Sequence, residues 1–150
     1  MYFLKIAIFP PNSLILADLI ERAGHEPLTI MKELSERVRD AEIDSPPLNI
    51  TPEDPSKGLK YASAEAPSGV RGRLAVFAPI FEEADAIVVF KNAPMSFGCL
   101  GCARTNEFLL FMIRSMNKPK LIIEYPTNEE ESKIAIKKVF EFLKGVREND

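Results

Sequence analysis

The only two cysteines in the chain, Cys99 and Cys102, form a C-x-x-C inside Ser96-Phe-Gly-Cys-Leu-Gly-Cys-Ala-Arg-Thr-Asn-Glu107. Two thiols at that spacing can close a disulfide reversibly or share a soft metal ion, so they are the candidate catalytic residues and, in the alternative role, candidate metal ligands. Ala84 to Phe90 upstream reads as a buried strand, and Phe108-Leu-Leu-Phe-Met-Ile113 downstream is too long and apolar for a surface turn. The pair is therefore expected between a strand and a helix. Unpaired N–H groups at a helix start carry partial positive charge, which favours a thiolate and lowers a cysteine pKa below its free value of ~8.5. In a redox reaction one thiolate attacks a disulfide and the other resolves the mixed disulfide. Zinc would need four ligands, and beyond this pair the chain offers no cysteine and only His25, which argues against an intrachain structural site. A metal shared across a dimer, or a transient soft metal such as nickel, stays open. The competing structural reading is two small residues packed in a glycine-flanked turn.

Arg104, Thr105 and Asn106 follow within about one helical turn, where an arginine can pair with a carboxylate or phosphate held at the helix start. Ser68-Gly-Val-Arg-Gly-Arg73 resembles an anion-binding turn, with Ser68 and Arg71 as contacts, but lacks the lysine and spacing of a Walker motif. Pro10-Pro-Asn-Ser13 follows an apolar strand, so Asn12 and Ser13 are further ligand candidates if that loop lies at a sheet crevice. Each has a plainer reading: capping and solvent exposure for Arg104 to Asn106, close packing for the Ser68 turn, and helix capping by Asn12. His25, after a helix-ending glycine, reads as a surface or capping residue.

The elements that must hold these residues alternate. Phe3 to Phe9 is a strand; Asn12 caps a helix through Leu14, Leu16, Leu19, Ile20 and Ala23 that stops at Gly24; Pro27 to Met31 is a second strand, and Lys32 to Asp40 a turn or two of helix. An irregular Pro-rich excursion covers about 41–67, with one extended piece at Leu59 to Glu65. A helix starts at Ser68 with Val70, Leu74, Phe77, Ala78 and Phe81 on one face, and Pro79 is expected to kink or end it early. Leu121 to Tyr125 is a fourth strand, and Thr127 with Glu130 forms a capping box for a last helix bearing Ala135, Val139, Phe142 and Val146. Continuous apolar strands alternating with helices predict a single α/β domain over 1–150, a small three-layer sandwich around a mostly parallel four-stranded sheet in flavodoxin-like or Rossmann-like order. If the first and third strands are central neighbours, the loops after them meet at the crevice where such sheets bind ligands.

With 46% hydrophobic residues over 150 positions, the chain can bury a core without staples. A net charge of -3 and the absence of a basic run argue against nucleic acid. No apolar run approaches the ~20 residues that span a bilayer, and the amino terminus lacks the features of a signal peptide. A cytoplasmic protein is expected, a compartment where C-x-x-C pairs are more often catalytic, regulatory or metal-binding than structural.

Taken together, Pro10-Pro-Asn-Ser13, Asp44-Ser-Pro-Pro-Leu-Asn-Ile-Thr-Pro-Glu-Asp-Pro55, Pro67-Ser-Gly-Val-Arg-Gly-Arg73 and the cysteine segment resemble methanogenesis marker protein 5 along essentially the whole chain. That resemblance implies an archaeal cytosolic setting, with methanogenesis enzymes or maturation proteins as partners, and a role in maturation or activation of the nickel enzyme methyl-coenzyme M reductase. It implies no particular reaction, cofactor or catalytic residue. Two functions follow: an accessory protein using Cys99 and Cys102 for thiol redox or soft-metal handling, or a non-catalytic module binding a small anionic ligand or a protein partner. Homo-oligomers fit either.

Overall fold

Lys5–Phe9 (β1), Glu26–Leu28 (β2), Ala86–Lys91 (β3) and Lys120–Glu124 (β4) form one sheet in the order β2-β1-β3-β4, with every neighbouring pair parallel. This is the flavodoxin-like alternative, with β1 and β3 central. The computed structural model describes residues 4–10, 13–29, 53–93 and 100–148. Those residues group into two compact units.

The first unit holds the sheet with Leu14–Arg22 (α1) and Glu129–Glu148 (α5). Alternation along the strands sends Leu4, Ile6 and Ile8 of the β1 segment and Ala86, Val88 and Phe90 of β3 into one cluster. There they meet Leu16, Leu19 and Ile20 of α1 and Ala135, Val139 and Leu143 of α5. Full burial of each large aliphatic chain stabilises the unit by roughly 1.5–3 kcal/mol. Ala7, Phe9, Ile87 and Val89, on the other face, are at most 2% exposed. Burial on both faces explains why the central strands read as unbroken apolar runs.

Three local expectations for this unit need correction. Ser13, not Asn12, caps α1: its Oγ accepts from the Leu16 N–H at 3.3 Å. The last helix is capped one residue later than expected, since Asn128 Oδ1 accepts from the Glu131 N–H while the Glu131 carboxylate accepts from the Thr127 N–H and hydroxyl. His25 is only 3% exposed, and its Nε2 lies 3.3 Å from the Leu143 carbonyl of α5. Gly24, at φ +85°, reverses the chain after α1 as expected, and that reversal carries His25 inward rather than to the surface.

The second unit contains Asp54–Lys57 (α2), a 3-10 turn at Gly58–Lys60, α3 from Ser68, and Leu100–Ser115 (α4). The Pro-rich stretch is thus more regular than expected where it is described, with Pro55 in the first turn of α2, a position its fixed φ suits. Leu59 to Glu65 is 3-10 helix and turn rather than extended. α3 runs through Pro79 to Glu83 without ending early. Pro79 is exposed, so water can take the Ala75 carbonyl that loses its helical partner. The proposed turns at Lys32 to Asp40, the strand beyond Leu28 to Met31, and residues 41–52 of the excursion include or fall on residues outside the described ones.

Candidate functional site

In a parallel sheet of order β2-β1-β3-β4, the chain leaves β1 toward one side and later returns to β3 on the other, so the connections diverge at the carboxyl ends of these two strands. The β1 end turns at Pro10, whose carbonyl accepts from the Ser13 N–H at 3.1 Å, and Ser13 then caps α1. Beyond β3, Asn92 adopts a left-handed conformation at φ 59°, tolerated by asparagine better than by most residues. This turn lets Asn92 Nδ2 donate to Glu124 Oε2 at 2.8 Å, while Lys91 Nζ lies 3.2 Å from Glu124 Oε1. The Asn92 bond first, and Lys91 second, hold the Glu124 carboxyl below its usual range. Tyr125 follows with its ring edge-on to Phe90 at 6.2 Å. The sequence reading missed Lys91, Asn92 and Glu124. A Lys-Asn pair ending one apolar strand and a glutamate ending another was the available signal, but the pairing rests on the β3 and β4 register that sets Lys91 opposite Glu124.

The second unit carries the remaining candidates. Ser68 is exposed at the start of α3. Arg71 points back along the chain, its Nε donating to the Ala66 carbonyl at 3.1 Å and its Nη1 to the Pro55 carbonyl at 2.9 Å. These bonds tie α2 and the preceding loop to α3. On α4, Arg104 lies 3.8 Å from Glu107 in an exposed pair, Thr105 is 1% exposed and Asn106 is half-buried. α4 starts at Leu100, which puts the Cys102 backbone within its first turn rather than ahead of the helix. Asn12 and Cys99 lie outside the described residues. Ser13 belongs to the sheet unit, whereas Ser68, Arg71, Arg104, Thr105 and Asn106 belong to the other. Among the described residues, no group of three or more His, Cys, Asp or Glu side chains is placed to hold a metal ion, and no helix is long and apolar enough to cross a membrane.

Residues 4–146 match a family described as an uncharacterized protein conserved in archaea (DUF2112). The chain belongs to this family. This DUF2112 chain is also 56% identical over 145 residues, 97% of each sequence, to a protein of Methanocaldococcus jannaschii described as uncharacterized. No solved structure matches the DUF2112 chain.

Proposed function

We propose that this protein is a cytoplasmic accessory protein whose Cys99 and Cys102 act as a dithiol, exchanging electrons with a disulfide on another protein or holding a soft metal in transit. The observation that carries this reading is α4: it starts at Leu100 and runs for 16 residues, with Cys102 in its first turn and Cys99 immediately before the helix. Oriented N–H groups there favour a thiolate at neutral pH. In the redox version, a thiolate of the pair attacks a partner disulfide, forming a mixed disulfide and releasing one partner thiolate. The second cysteine then attacks the mixed disulfide, leaving a Cys99–Cys102 disulfide and two reduced partner thiols. The resemblance to methanogenesis marker protein 5, with a relative in Methanocaldococcus jannaschii, supports a methanogenesis enzyme as the target, methyl-coenzyme M reductase first.

The second reading is a binding module for a small anionic ligand or protein partner, drawn from the diverging connections after β1 and β3. There Ser13 already caps α1, and Asn92 and Lys91 already bond Glu124, so the described polar groups are engaged with one another. That favours the dithiol. Alkylation rates of anaerobically reduced protein, followed against pH in the wild type, Cys99→Ser and Cys102→Ser, test it. At least one thiol should react in the folded state with an apparent pKa below ~8.5. Reaction of both only after unfolding, with no metal or disulfide present, favours the binding module.

A further inference from the structure

β4 is an edge strand: in the order β2-β1-β3-β4, only β3 pairs with it among the described residues. Its ladder fixes which backbone groups face outward. The Pro119 carbonyl accepts from the Ile87 N–H at 3.0 Å and the Tyr125 N–H donates to the Lys91 carbonyl at 2.9 Å, so odd-numbered positions turn toward β3. Lys120, Ile122 and Glu124 therefore direct their N–H and C=O groups away from β3. Leu121 and Ile123 are only partly buried where they pack against the core cluster, and Ile122 is half-buried on the other face. An apolar centre with outward backbone groups is a template for another strand.

We propose that this edge pairs with the same edge of a second copy of this chain, antiparallel about a two-fold axis at Ile122, to give one continuous eight-stranded sheet. Charge complementarity selects this occupant and register. With the axis at Ile122, Lys120 lies opposite Glu124 of the second copy, Leu121 opposite Ile123, and Ile122 opposite itself. Every outward-facing residue then meets an outward-facing one, as reciprocal N–H···O=C exchange requires. Moving the axis to Leu121 or Ile123 still opposes outward-facing residues but sets Ile122 against Lys120 or Glu124 and loses both Lys120–Glu124 pairs, and moving it to Lys120 or Glu124 sets like charge directly against like, which is destabilising. The favoured register also extends a row already present. Lys91 pairs with Glu124 across β3 and β4, and Lys120 of the second copy would continue the alternation of sign on the same face. Pro119 and Pro126 bracket the strand, limiting the pairing to these five residues and opposing open-ended stacking. A closed two-fold interface is the outcome.

Charge exchange tests the register as well as the surface. Sedimentation of the full chain over a range of concentrations should show a monomer–dimer equilibrium. Lys120→Glu and Glu124→Lys should each raise the dimer Kd roughly tenfold or more, because each turns both cross-strand ion pairs into repulsions. Mixing the two single variants should restore dimerisation. One chain then carries acids at both positions and the other carries bases at both, so each cross-strand pair is again of opposite sign. Amide exchange supplies a readout that does not depend on variants. The Ile122 N–H should become protected as concentration rises, whereas the Leu121 N–H, already in the β3 ladder, should not change. A wild-type monomer at every concentration, a dimer insensitive to both charge reversals, or concentration-independent exchange at Ile122 would overturn the proposal.

Discussion

Gly58 has a helical backbone at φ −67° and ψ −13°, so alanine could adopt its conformation without strain and, given space, would stabilise the turn by up to about 1 kcal/mol. Space is what it lacks. A Cβ at Gly58 would lie 2.0 Å from the Arg71 carbonyl oxygen, 2.5 Å from its carbon and 2.8 Å from its Cα, all backbone atoms of α3. Reaching ordinary contact near ~3.5 Å requires the 3-10 turn and α3 to separate by about 1.5 Å. Arg71 ties α2, which runs directly into that turn, to α3, so separation stretches its 2.9 Å bond to the Pro55 carbonyl beyond hydrogen-bonding range. Losing that charge-assisted bond costs about 1.5–3 kcal/mol and overpacking about 1–3 kcal/mol. After the helical gain is subtracted, Gly58→Ala should destabilise the protein by roughly 1.5–5 kcal/mol. Urea denaturation followed by far-ultraviolet circular dichroism suits a chain with no tryptophan. Gly145→Ala is the control: nothing beyond its own stretch of helix lies within 4 Å of a Cβ there, and replacing a glycine in the last turn of α5 should stabilise by up to about 0.5–1 kcal/mol. A Gly58→Ala protein within about 0.5 kcal/mol of wild type would refute this reasoning, because overpacking and the lost Arg71 bond together exceed the helical gain by more than that.

Burial, and then its hydrogen bond to Glu82, push the Tyr61 phenol up to about 12. The folded state holds this proton more tightly than the unfolded state, so the linked stability is full below the ordinary tyrosine value of 10.0 and is lost as pH rises through about 12. Among three tyrosines, absorbance at 295 nm should show a late phase that Tyr61→Phe removes; an unchanged late phase would contradict the assignment. The cap of α5 acts in the opposite direction of pH, since bonds from the Thr127 backbone and then its hydroxyl hold the Glu131 carboxyl below its usual 4.5. This contribution is present above 4.5 and lost as pH falls through the lowered value, so Glu131→Gln should flatten the acid limb of a pH–stability curve, and an unaltered limb would count against it. Asn128→Ala removes the reciprocal bond to the Glu131 N–H and should cost about 1 kcal/mol in thermal or urea unfolding; no loss would mean the cap is idle in solution.

The architecture was legible because burial leaves a local signature. Unbroken apolar runs at the strands that became β1 and β3, alternating with helices, announced a parallel sheet covered on both faces. The amino-terminal caps of α1 and α5 were legible to within a residue, whereas the end of α3 beyond Pro79 and the start of α4 at Leu100 were not. Ser13 displaced Asn12, and Asn128 with Glu131 displaced Thr127 with Glu130, because neighbouring polar residues compete for one cap and only the helix's actual phase chooses between them. The C-x-x-C and its proximity to a helix start were written in the residues, as were the basic residues of Ser68 to Arg73, although these form the first turns of α3 rather than the expected anion-binding turn. What Arg71 does was not, since its partners, the Pro55 and Ala66 carbonyls, are backbone groups with no identity in a sequence. His25 likewise looked superficial until a left-handed Gly24 turned it beneath α5. Residue type and spacing determined the class of fold, the thiol pair and the absence of a long apolar span, because each depends on interactions within about one element's length. Strand order, the Lys91–Asn92–Glu124 cluster and the outward backbone of β4 were decided only by tertiary structure, because they depend on which distant segments become neighbours and in what register.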